Sequence, residues 1–267
     1  MSDASAAPIA KADLIEGMVK GLSVLESFDT ERQRLNATLA AQRAGLSRAA
    51  ARRHLLTLAH LGYLETDGSY FWLSPRVLRF AGSYLSSARL PRVLQPTLNR
   101  LALQTRASFS AVVLDADEVV IVASAGQGFD GAPGAATRLL AYGLHLGARL
   151  PAHATSTGRM LLACKPVAER NALLKGRGLS RLTAHTVTTA RQLRALLDQA
   201  RADDFCLASE EHEVGVHAVA VPLRNMQGRT LAALNVVLPG ACADRTRTLA
   251  QWLAPLQQAA RELRPLM

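Results

Sequence analysis

The chain has 267 residues, enough for one large domain or for two smaller ones that each bury a core. With 49% hydrophobic and 19% charged residues it is not a disordered chain, and a formal net charge of +10 points to a polyanionic partner. The position of that charge says more than its size. Residues 1–75 hold eight Lys/Arg and eight Asp/Glu, yet residues 32–60 carry six arginines (Arg32, Arg34, Arg43, Arg48, Arg52, Arg53) and no acid. Residues 76–106 carry six more (Arg76, Arg79, Arg89, Arg92, Arg100, Arg106), again without an acid. Clustering of this kind is the footprint of a nucleic-acid binder. Cys164, Cys206 and Cys242 are far apart and form no CxxC, which fits reduced thiols better than a disulfide frame. The first residues lack the plan of a signal peptide and no run of about 18 apolar residues occurs, so a soluble cytoplasmic protein with no membrane span is expected.

Taken in chain order, residues 1–13 read as a disordered tail. Ile15, Val19, Leu22 and Leu25 then recur at helical spacing over residues 14–28. Asn36 is placed to cap a second helix running to about residue 44, with Leu39 and Ala40 inward, and Gly45 ends it. Ser47 caps a third helix over residues 48–61. On that helix Ala51, Leu55 and Leu58 share one face, and Ala49, Arg52 and Arg53 point the other way. Alanine permits close approach to DNA, and arginine reaches guanine edges or phosphates. A basic helix face is more often merely solvated; its place after the Gly45 turn and the lack of nearby acids favour DNA here. Residues 63–64 and 70–73 are short β-prone runs around Thr66-Asp67-Gly68-Ser69, a hairpin signal, and form a wing. Residues 14–74 are thus a winged helix-turn-helix whose DNA-facing candidates are Asn36, Thr38, Ser47, Arg48, Ala49, Arg52, Arg53, Ser69 and Tyr70.

Ser74 and Pro75 open a helix to about residue 87, a linker over residues 75–90 whose arginines extend the acid-free run towards the phosphates. Pro91 and Pro96 open another helix over residues 93–104, the start of a second domain, 91–267. Strands over residues 109–114 and 119–123 are joined by Asp115-Ala116-Asp117. Helices follow over 155–162, 166–175 and 191–202, then strands over 216–223 and 230–238 around Arg224-Asn225-Met226-Gln227-Gly228, and a last helix over 244–263. Antiparallel strands mixed with helices make this an α+β domain of sensor type. Ser156, Thr157 and Gly158 sit where a helix begins, so exposed N–H groups favour a carboxylate, although plain capping explains them too.

Several patterns are weaker. Gly126-Gln127-Gly128-Phe129-Asp130-Gly131 matches GxGxxG, but Pro133-Gly134 would break the helix that must follow, and a loop near the sensor pocket is the better reading. The pairs His145/His153 and His212/His217 lack the spacing of a helical metal site, so no metal and no cofactor are expected. No Ser-His-Asp arrangement or paired carboxylates are recognisable.

The winged helix, the stretch from Gly147-Ala148-Arg149-Leu150-Pro151 to Gly158-Arg159, and the stretch from Glu210-Glu211-His212-Glu213 to Val221-Pro222 closely resemble the isocitrate-lyase-regulator (IclR) family of bacterial transcription factors. Ile15-Glu16-Gly17-Met18-Val19-Lys20-Gly21-Leu22 and Ala154-Thr155-Ser156-Thr157-Gly158-Arg159 look most like the branch controlling protocatechuate and 4-hydroxybenzoate catabolism. The resemblance implies a homodimer or dimer of dimers on a pseudo-palindromic DNA operator, RNA polymerase as a further partner, and a GAF-like C-terminal domain. It implies an aromatic carboxylate as effector, held at Ser156, Thr157, Gly158, Ala208, Ser209, Ala218, Asn235 and Val237. The chain departs from relatives that carry acids at 208–209 and an arginine at 217, where it has His217; losing those acids removes charge that would repel an anion. The expectation is a non-catalytic regulator. Its rivals are an enzyme with a substrate pocket in 91–267 and an accessory DNA-binding domain, and an architectural DNA binder.

Overall fold

The computed structural model describes residues 10–29, 32–126, 145–174, 178–239 and 244–267, and the chain divides into two compact units, Met1–Tyr84 and Leu85–Met267. Of the tail expected over residues 1–13, residues 1–9 lie outside the described residues and Lys11–Asp13 form a 3-10 turn.

In the first unit, helix α1 (Glu16–Leu25) starts at an acid in its first turn, where the helix dipole favours it, and Glu16 pairs with Lys20 at 2.8 Å. Helix α2 (Ala37–Ala44) is capped by Asn36, whose side chain accepts from the N–H groups of Thr38 and Leu39 at 3.1 and 3.0 Å. Gly45 ends it at φ 66°, a left-handed conformation that suits glycine. Helix α3 (Arg48–His60) is capped by Ser47, which accepts from Ala50 N–H at 3.2 Å. Strands β1 (Leu64–Thr66) and β2 (Phe71–Leu73) pair antiparallel, and Leu35 bridges to Phe71 as a third strand position. Asp67 fixes the turn between them by accepting from Ser69 and Tyr70 N–H at 3.0 and 2.8 Å. Val24, Leu35, Ala51, Leu55 and Phe71 meet in one core. Each large buried aliphatic contributes about 1.5–3 kcal/mol of transfer free energy towards the ordering of this unit. The helix expected from Pro75 begins as a 3-10 turn, Pro75–Val77, capped by Ser74, and continues as α4 (Leu78–Ser87).

The second unit opens with α5 (Arg89–Thr105), which starts four residues before the expected 93–104 and contains Pro96. Pro91 falls in its first turn, where a missing N–H breaks no helical bond. A six-stranded sheet follows in the order β5-β4-β3-β8-β7-β6, with every neighbouring pair antiparallel. Its strands are β3 (Ser108–Asp115), β4 (Glu118–Ala125), β5 (Arg149–Pro151), β6 (Cys206–Ser209), β7 (Val216–Arg224) and β8 (Thr230–Pro239). Sequence reading missed the edge strands β5 and β6, which are too short for an alternating pattern. The further α-helices among the described residues of this unit are α6 (Ser156–Cys164), α7 (Val167–Leu174), α8 (Ala190–Asp203) and α9 (Arg245–Leu263).

Successive strand residues face opposite sides, so the sheet feeds two cores. Phe109, Ala111, Val219, Leu234 and Val236 pack with Leu94, Leu98 and Leu101 of α5 and Trp252, Leu256 and Leu263 of α9. Val112, Ile121, Ala220 and Ala233 pack with Met160 and Leu161 of α6 and Leu193 and Leu197 of α8. The result is the α+β architecture expected, with helices on both faces of an antiparallel sheet.

Candidate functional site

In the first unit, Arg48, Ala49, Arg52 and Arg53 are exposed along one face of α3, opposite the buried Ala51 and Leu55. Among the described residues these three arginines form no ion pair. Thr38 is exposed in the first turn of α2, and Ser69 and Tyr70 are exposed at the wing turn. Asn36 and Ser47 serve as helix caps. The acid-free run is not acid-free in space: Arg34 pairs with Asp67 at 2.5 Å and lies 4.6 Å over the Trp72 ring, and Arg43 pairs with Asp29. Two of the six arginines are therefore committed within the unit. Of the second group, Arg76 lies over the Tyr63 ring at 5.3 Å, Arg89 donates to Leu266 O at 3.1 Å, and Arg100 pairs with Glu262.

In the second unit, α6 begins over a cavity. Thr155 is its cap, accepting from Gly158 N–H at 3.2 Å. The next hydroxyl, Ser156 Oγ, is buried without a hydrogen-bond partner and lines the cavity. Gly158 lets the helix approach the preceding turn, because a Cβ there would stand 2.3 Å from Ala152 Cα. The register sets Ala208, Ala218 and Val237 in one row of the floor, with Asn235 and Ser110 in the next. Ser110 Oγ donates to Asn235 Oδ1 at 2.6 Å, and both residues are buried. Of the eight effector candidates, Ser156, Thr157, Ala208, Ala218, Asn235 and Val237 line this one cavity. Gly158 and Ser209 do not. Gly158 acts in packing, and Ser209 is exposed beside His217.

The absence of acids at 208 and 209 does not leave the cavity free of carboxylates, for Glu211 and Glu213 line it. Glu211 meets Arg159 of α6 in a two-armed ion pair, and Arg159, only 1% exposed, also donates from Nε to His153 O at 2.7 Å. His212 lines the same wall; burial, reinforced by His153, pushes its imidazole below the ordinary value, so it stands neutral at physiological pH. Sequence reasoning missed Ser110, Arg159 and Glu211; His212, which it set aside as a metal ligand, lines the cavity. Two signals were available: Asn235 sits alone among apolar residues of β8 and so calls for a polar partner such as Ser110, and Arg159 directly precedes the apolar run Met160-Leu161-Leu162.

Gly126 opens the GxGxxG stretch with φ 152°, and a Cβ there would lie 2.5 Å from Ser108 Cα; residues 127–131 and Pro133-Gly134 lie outside the described residues. Cys164 and Cys206 are free thiols, and burial pushes the Cys206 thiol up to about 12; Cys242 lies outside the described residues. Among the described residues no three His, Cys, Asp or Glu are grouped to hold a metal, and no helix is long and apolar enough to cross a membrane.

Residues 82–264 match the family described as bacterial transcriptional regulator IclR C-terminal, and residues 18–68 match the IclR helix-turn-helix domain. The chain is 48% identical over 263 residues to the p-hydroxybenzoate hydroxylase transcriptional activator of Acinetobacter baylyi, covering 98% of this chain and 96% of that protein. It is 47% identical over 257 residues to the Pca operon regulatory protein of the same organism, covering 96% and 90%. A crystal structure of an IclR homologue from Microbacterium hydrocarbonoxydans, complexed with 4-hydroxybenzoate, matches with a TM-score of 0.68 at 28% identity and covers 92% of this chain and 97% of that one. The two-part fold, the exposed arginine face and these matches lead to one conclusion: the chain belongs to the IclR family of bacterial transcriptional regulators.

Proposed function

We propose that this chain is a ligand-responsive DNA-binding regulator of aromatic-acid catabolism genes, with a hydroxybenzoate-type carboxylate such as 4-hydroxybenzoate or protocatechuate as effector. The observation that carries the proposal is Ser156. Its hydroxyl is buried without a partner at the N-terminus of α6, in a wall of a largely apolar cavity. A carboxylate there gains that hydroxyl, the first N–H groups of the helix and the positive end of its dipole, while an aromatic ring suits the floor of Ala218, Val237 and Ile121. The regulators of the p-hydroxybenzoate and Pca systems named above, and the 4-hydroxybenzoate held by the Microbacterium homologue, support the same assignment.

On the DNA side, α3 lies in a major groove with Arg48, Arg52 and Arg53 reaching bases or phosphates, Ala49 allowing close approach, and Thr38, Ser69 and Tyr70 flanking them. Asn36 and Ser47 add main-chain and side-chain contacts at the two helix starts. The protein works in the cytoplasm as a homodimer or dimer of dimers on a pseudo-palindromic operator, with RNA polymerase as a further contact. The exposed stripe of Ile15, at the N-cap of α1, and Met18, Val19 and Leu22 within it supports association of copies. The cavity is a binding site and not a catalytic one, so the effector leaves as it entered.

The test is fluorescence anisotropy on promoter fragments of adjoining aromatic-catabolism genes, with and without 4-hydroxybenzoate, alongside calorimetric titration of the acid. We expect salt-dependent, sequence-specific binding that the acid alters, and Arg52→Ala to weaken it by about 1–3 kcal/mol. Failure of benzoate, 4-hydroxybenzoate and protocatechuate all to bind would overturn the effector assignment. Unchanged operator affinity in Arg52→Ala would overturn the role of that arginine.

A further inference from the structure

An anion is proposed for a cavity that already has a carboxylate in its wall. Glu211 lines the same cavity as Ser156, its side chain is only 11% exposed, and it is held from several sides. Its main-chain oxygen accepts from Thr186 Oγ1 at 2.6 Å, and its Oε2 accepts from Val187 N–H at 3.3 Å. It is not free to swing into solvent. Arg159, one turn after Ser156 on α6, meets both of its carboxylate oxygens and is itself anchored to His153 O. Glu213, the other carboxylate of the lining, is half-buried.

We propose that the Arg159–Glu211 pair sets the charge preference of the effector cavity: Arg159 cancels the charge of Glu211 and thereby reserves the cavity for a monoanion. The inference rests on the carboxylate effector proposed above. In a wall of low effective dielectric, an unpaired carboxylate opposes a nearby anion far more than it would in water. With Glu211 paired and Glu213 held in an interaction of its own, the remaining bias is the positive end of α6 and the partnerless Ser156 hydroxyl, enough for one negative charge. Among the described residues that line this wall, a second charge on the ligand would find no counter-ion. Arg159 thus acts through Glu211 as a positioning residue and touches no ligand.

The test uses the full chain and two probes of the same shape, 4-hydroxybenzoate and the uncharged 4-hydroxybenzamide, titrated calorimetrically into wild type, Arg159→Met, Glu211→Gln and the double variant. The readout is the ratio of the two dissociation constants. Arg159→Met should lower the preference for the acid about tenfold or more, Glu211→Gln should raise it, and the double variant should return it to within about twofold of wild type. If Arg159→Met does not fold, the rise in Glu211→Gln and its reversal in the double variant still decide the matter. A merely structural pair would weaken both probes together, and an unchanged ratio across the variants overturns the inference while leaving the effector assignment intact. Wild type binding neither probe overturns both.

Discussion

A buried hydroxyl without a partner ordinarily costs about 1–3 kcal/mol, and Ser156 carries that cost while Thr155, one residue earlier, caps the same helix. Removing the hydroxyl takes away a destabilising group in the empty protein and a charge-assisted hydrogen bond in the liganded one. Ser156→Ala should therefore leave the melting temperature unchanged or raised, and weaken 4-hydroxybenzoate about ten- to hundredfold by calorimetry. A lower melting temperature with unchanged affinity would assign the hydroxyl to folding. His212 gives a second test at this scale. Its folded pKa lies below the unfolded value of about 6.5, through burial first and His153 second, so the unfolded chain takes up the proton more readily. Stability from this group is complete above about pH 6.5 and is lost as the pH falls through that value towards the folded pKa. The melting temperature should decline as the pH falls below about 6.5, and His212→Gln should remove part of the decline. An identical slope in the variant would place the effect on another group.

At the scale of elements, the start of α2 holds two readings of one residue. Asn36 is a candidate DNA contact by its place in the sequence, and its side chain caps the helix through Thr38 and Leu39 N–H. Aspartate caps a helix as well as asparagine but brings a negative charge to the proposed phosphate side. Asn36→Asp should keep the melting temperature and lose operator affinity, more at low salt than at high salt. Affinity equal to wild type at every salt concentration would make Asn36 a cap alone. Caps of this kind were legible in the sequence because they are local: Asn36, Ser47, Gly45 and the Asp67 turn each act within a few residues. The edge strands were not, since three or four residues carry no period. The cavity was legible only in part. Family likeness pointed to Ser156 and Asn235, but Ser110 meets Asn235 across 125 positions of sequence and Arg159 meets Glu211 across 52. The charge count failed for the same reason, because Asp29 and Asp67 lie outside the run 32–60 yet pair with Arg43 and Arg34.

At the scale of the whole molecule, the proposed DNA face and the proposed effector cavity belong to different units, each with hydrophobic clusters of its own. A signal between them is then a coupling free energy, and such a coupling is reciprocal. If 4-hydroxybenzoate changes operator affinity by some factor, saturating operator must change 4-hydroxybenzoate affinity by the same factor, typically about 5- to 150-fold. We expect this equality when anisotropy gives the operator dissociation constant with and without the acid, and calorimetry gives that of the acid with and without operator. It follows from population shift, in which the acid binds one arrangement of the protein better than another and the operator shares or opposes that preference. Two ratios of one would mean that the acid leaves DNA binding untouched. Regulation would then act after the protein is seated, through its contact with RNA polymerase, and the population-shift account of operator affinity would be wrong.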